Sequence, residues 1–153
     1  MATTTKGFVE STTEEIEQLL KGTGNIFNTV VDTVSGMLNT IVKDTGKSGE
    51  ALIEAIGEIS GTVIKTSVTI QADIVTSTRA IISGVIRSAK AIGMDAEEAA
   101  SAAANGAIDA AYKISEDLGD KVRSAATGTI DGVRIILKKP FVSEKKNKQV
   151  AIK

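Results

Sequence analysis

The chain has 153 residues with a formal net charge of -1 and 42% hydrophobic residues, enough for one domain with a core of its own. It contains no histidine and no cysteine, which excludes His-based triads, thiol nucleophiles, disulfides and zinc sites of the usual ligand types. Its aromatic residues are Phe8, Phe27, Phe141 and Tyr112, too few for stacking platforms or an aromatic-lined pocket, so no cofactor, metal or small-molecule substrate is expected.

The first segment, residues 1–24, begins Met1-Ala2-Thr3-Thr4-Thr5-Lys6-Gly7-Phe8 and lacks the apolar core of a secretory signal. Ser11 followed by Glu14 reads as a capping box that opens a short helix from Thr12 to about Lys21. Gly22-Thr23-Gly24 breaks it, and Asn25 caps the next helix. The second segment, residues 25–138, is expected to be helical nearly throughout, because its apolar residues recur every eleven positions. One column runs Val30, Ile41, Leu52, Val63, Ile74, Val85, Ala96, Ala107, Leu118. Others run Ile26, Met37, Ser48, Ile59, Ile70, Ile81, Ile92, Ala103, Ile114, Ala125, Ile136 and Val34, Thr45, Ile56, Ser67, Thr78, Ala89, Ala100, Ala111, Val122, Val133. A polar column stays in phase beside them: Asp32, Lys43, Glu54, Lys65, Thr76, Arg87, Glu98, Asp109.

Eleven residues over three turns is about 3.67 per turn, so such a stripe stays nearly straight or winds weakly right-handed. The predicted fold is therefore all-α: long amphipathic hendecad helices forming a hairpin or a near-continuous rod, with a short N-terminal helix and an irregular basic tail. Strand-like alternation in Ser67-Val68-Thr69-Ile70-Gln71-Ala72-Asp73-Ile74 competes locally, but the eleven-residue period favours helix there too. Turn signals occur at Thr45-Gly46-Lys47-Ser48-Gly49, at Gly93-Met94-Asp95 and, more weakly, at Gly119-Asp120. Since a turn has no need to keep phase, the preserved register favours few or no breaks. The alanine-rich stretch after Gly93, small enough to pack closely on larger residues, argues for a hairpin, so one turn near Gly93 is expected, with the uninterrupted rod as its rival. Charges at Lys65, Asp73, Arg79, Arg87 and Lys90 interrupt the most apolar region, so a membrane-spanning helix is not expected. The expected location is cytoplasmic, free or peripheral to a membrane or granule.

Pro140 closes the helical region, and residues 139–153 form the tail. From Arg134 onward seven basic residues (Arg134, Lys138, Lys139, Lys145, Lys146, Lys148, Lys153) face only Glu144, so this end is +6 and the preceding body is -7. The excess reads either as a solvated end or as an electrostatic hook for an acidic neighbour or anionic lipid; an acidic body disfavours nucleic acid.

No catalytic constellation emerges. Gly46-Lys47-Ser48 resembles the end of a phosphate-binding loop, but Ile41 stands where that motif requires glycine. Glu14-Glu15 and Glu97-Glu98 sit near helix starts, where carboxylates favour the dipole. What stands out is the stripe: Val30, Val34, Met37, Ile41, Leu52, Ile56, Ile59, Val63, Ile70, Ile74, Ile81, Val85, Ile92, Ile114, Leu118 and Val122. It is too broad to leave wet, and a short chain folding back covers only part of it, so other copies or an apolar surface are implied. The first expectation is a non-enzymatic structural protein that self-associates through this stripe into a homo-oligomer or polymer: a bundle, filament or shell. β-Branched residues specify interlocking packing, and small residues at Gly49, Ser60, Gly93, Ala104 and Ser115 permit close approach. The in-phase columns from Ile26 to Leu137 also resemble eleven-residue-repeat amphipathic proteins of apolipoprotein-, perilipin-, late-embryogenesis-abundant and phasin-like type. That resemblance implies a coat on a lipid or polymer surface, although the chain has no tryptophan and no regular lysine flanks.

Overall fold

In the computed structural model, residues 26–45 and 49–137 are described. Five helices occupy most of that length: α1 Ile26–Thr45, α2 Gly49–Thr69, α3 Ile74–Ile92, α4 Ala96–Ile114 and α5 Glu116–Ala126. A two-stranded antiparallel hairpin comes after them, β1 Thr129–Ile130 and β2 Val133–Arg134. The expected short helix at 12–21, the caps at Ser11 and Asn25 and the Gly46-Lys47-Ser48 segment lie outside the described residues.

The all-α expectation holds, but the helices are shorter and more numerous than a single hairpin or rod. The turn near Gly93 is present. Gly93 adopts φ 83°, and the N–H of Met94 reaches back to the carbonyl of Ala89 at 2.8 Å, the hydrogen bond of a Schellman cap. Asp95 then caps α4, its carboxylate accepting from the N–H groups of Glu97 and Glu98 at 2.9 and 3.3 Å. A second break falls at residues 70–73, in the stretch where strand and helix patterns compete. It has the same geometry: Gln71 stands at φ 62°, its N–H bonds the carbonyl of Val68, and the N–H of Ala72 bonds that of Ser67 at 2.8 Å. A third comes at Ser115, whose hydroxyl caps α5 by accepting from Leu118 N–H at 3.1 Å. Gly119 is no turn; it lies inside α5, buried beneath the Tyr112 ring.

The starts of the four long helices are 23, 25 and 22 residues apart, close to two eleven-residue units. A helix plus its turn thus occupies 22 to 25 residues. Burial tracks the columns closely: Val34, Ile56, Ser67, Thr78, Ala89, Ala100, Ala111 and Val122 are all buried. Two of the buried hydroxyls bond back along their own helix, Ser60 to Ile56 O at 2.8 Å and Thr78 to Ile74 O at 2.7 Å.

The helices pair out of sequence. α1 packs most extensively on α3, and α2 on α4, while the consecutive helices α1 and α2 touch little. Gly57 faces Ala102 and Gly106, and Gly61 faces Gly106 and Ala110; the contacts advance together, so α2 and α4 run parallel. On the other seam Val31 and Val34 abut Gly84, while Asp32 pairs with Arg87 at 3.2 Å and Asn39 accepts from Ser88 Oγ at 3.1 Å. The hairpin corrects the expectation of helix as far as residue 138. Asp131 and Gly132 adopt φ 51° and 80°, the left-handed pair of a tight two-residue turn, and Ile135 returns to the core.

Candidate functional site

The stripe is the molecule's own core. Val30, Val34, Met37, Ile41, Leu52, Ile56, Ile59, Val63, Ile74, Ile81, Val85 and Val122 are buried in one continuous cluster. Ile70, Ile92 and Leu118 are half-buried at its margin, and only Ile114, 43% exposed, faces outward. Folding back therefore covers far more of the stripe than its breadth suggested, because four helices share it in place of two.

The cluster is divided by the turn at 70–73. Its two principal seams, α1–α3 and α2–α4, each join a helix before that turn to one after it. The turn is held by Asp73, whose carboxylate accepts from both the N–H and the hydroxyl of Thr76. Those two hydrogen bonds, the hydroxyl's first, lower the Asp73 pKa below its ordinary 3.8; burial opposes them, and the field of Lys121 adds a lesser lowering. The stabilisation is present above 3.8 and fades as pH falls through the lower folded value. Buried Ser67 and Ser77 flank the turn, and their hydroxyls make no hydrogen bond among the described residues.

At the far end of α4, Tyr112 donates to Asp120 Oδ1 at 2.6 Å across its ring's contact with Gly119, clamping the α4–α5 corner. Along the outer edge of the α2–α4 seam runs an open groove of about 1060 Å³, floored by Gly57, Gly61, Gly106 and Ala110. Of the basic residues singled out in the sequence, Arg134 is exposed on β2; Lys138, Lys139, Lys145, Lys146 and Lys148 lie outside the described residues.

No group of three or more metal-ligating side chains occurs among the described residues, and no described helix is long and apolar enough to cross a membrane. Comparison with protein-family models, with curated proteins and with solved structures finds no match.

Proposed function

We propose that this is a non-enzymatic structural protein that assembles by exchanging helices between copies through the stripe that closes its own bundle. The observation that carries the reading is the turn at 70–73. A Schellman cap normally places glycine in the left-handed position, as Gly93 does after α3; after α2 that position holds Gln71. A left-handed non-glycine residue costs about 1 kcal/mol. Nothing in Ile70-Gln71-Ala72-Asp73 forbids helix, and the apolar register crosses these residues in phase, from Ile59 through Ile70 to Ile81 and from Val63 to Ile74. Straightened, α2 and α3 become one helix. The α1–α2 half of one chain then packs on the α3–α5 part of another, remaking the same seams between copies. Closed exchange yields a dimer, and open exchange a filament.

The second reading, a coat on a lipid or polymer surface, uses the same opening. It is favoured by the hydroxyls in the core, eight buried serines and threonines among the described residues, which weaken the closed bundle relative to an all-hydrocarbon one.

The test is Gln71→Gly against Gln71→Ala. Glycine relaxes the turn and should shift wild-type material toward monomer in sedimentation velocity; alanine keeps the left-handed penalty, favours helix, and should enrich larger species. Identical distributions for wild type and both variants across concentration would overturn helix exchange. If size changes only when vesicles are added, the surface reading replaces it.

A further inference from the structure

The groove beside the α2–α4 seam exists because glycine and alanine floor it; its rim carries charge. Six carboxylates (Glu54, Glu58, Asp95, Glu97, Glu98, Asp109) line it against two lysines, Lys65 and Lys113. The described chain also ends there. Ile136 lines the groove and is 52% exposed. Its N–H donates to Ser101 Oγ at 2.8 Å, and its carbonyl accepts from Asn105 Nδ2 at 3.3 Å. Those two partners are one helical turn apart, so the backbone at Ile136 is laid along α4. The sequence beyond Leu137 is strongly basic: Lys138, Lys139, Lys145, Lys146, Lys148 and Lys153 against Glu144.

We propose that the α2–α4 groove is the docking site of the chain's own C-terminal segment, residues 138–153. Reach does not limit it: sixteen extended residues span roughly 50 Å, whereas α4 is about 28 Å long. The tether raises the segment's local concentration to the millimolar range typical of short linkers, which favours it over a free basic peptide. Because the rim is open to solvent, the attraction is salt-sensitive. The groove is formed by α2 and α4 whether or not helices are exchanged, so this docking stands or falls separately from the assembly mechanism.

Zero-length carbodiimide cross-linking tests it directly, using full-length protein refolded from a mixture of light and nitrogen-15 chains and diluted until monomeric. Peptide mass spectrometry should find Lys138, Lys139 and the 145–148 lysines joined to Glu54, Glu58 or Glu98 within chains of one isotope. These links should fall about fivefold in high salt. They should fall similarly in Glu54→Lys/Glu58→Lys, while an Asp117–Lys121 link in α5 persists in both. If that variant loses helix, Lys145→Gln/Lys146→Gln/Lys148→Gln lowers the segment's charge without changing any helix residue, and the remaining Lys138 and Lys139 links to Glu54, Glu58 or Glu98 should fall in the same way. Links from the segment to Asp32 or Asp117 in place of the groove, or no links, would overturn the proposal. Links chiefly between isotopes would overturn it as well, by assigning the groove to a second copy.

Discussion

Along the α1–α3 seam the buried residues are large, Val30, Val34, Leu38 and Ile41 on one helix and Ile81, Ile82 and Val85 on the other. Along the α2–α4 seam, α4 contributes Ala99, Ala103, Ala107 and Ala110 with Gly106 between them, and α2 sets Gly57 and Gly61 against them. Both seams are parallel and out of sequence, yet they reach contact by opposite means. Large side chains fill space and bury apolar area, at about 25 cal/mol per Å². Small ones bring two backbones together, gain dispersion from the close approach, and leave a groove where side chains would have stood.

The sharpest way to break that contrast is Gly106→Ala. Its added methyl would stand 2.4 Å from Gly57 O and 2.6 Å from Gly57 Cα, backbone atoms that cannot turn aside. The helices must part, and the net loss should be roughly 2–3 kcal/mol even after the helix-propensity gain. Urea denaturation measures it; an unchanged midpoint would mean the seam is not closely packed. Next is Gly84→Ala on the other seam, where the methyl meets Val31 O at 2.8 Å and Val34 Cβ at 3.2 Å. Val31 O is backbone too, but the approach is looser than the 2.4 Å at Gly106, so a smaller shift relieves it and the loss should be smaller, about 1 kcal/mol. The smallest effect has the opposite sign. Gly57→Ala meets only Ala102 O at 3.8 Å, so the helix gains up to about 1 kcal/mol of propensity without a clash. Stabilisation at Gly57 and destabilisation at Gly106, across one contact, would show which backbone approaches which.

Much of the fold was legible in the sequence. The column Val34, Ile56, Ser67, Thr78, Ala89, Ala100, Ala111, Val122 named buried positions on both sides of the three described turns, with Val133 half-buried at its end, because apolar spacing encodes the helix face directly. Gly93 with Asp95 marked the α3–α4 turn for the same local reason. The α2–α3 turn was hidden, since its left-handed residue is Gln71 and the strain is offset by tertiary packing that no local pattern records. The hairpin signal was present in Ile130-Asp131-Gly132-Val133, but the surrounding strands are two residues each, too short to disturb a helical period. The groove was illegible altogether. It arises from the pairing of α2 with α4, and the sequence says which residues are small without saying which small residues meet.

The out-of-sequence pairing also governs how the chain reaches its native state. The ion pair of Asp32 with Arg87 spans 55 residues, and the contact of Asn39 with Ser88 spans 49. An up-and-down bundle collects its contacts from consecutive helices and closes one short loop at a time. Here α1 must wait for α3, and α2 for α4, before either finds its seam, so chain closure over long loops precedes most of the stabilising contact. Folding should accordingly be slower than the helix content suggests. During that wait α1 and α2 expose their apolar faces together, at the moment when another chain in the same condition offers the complementary half.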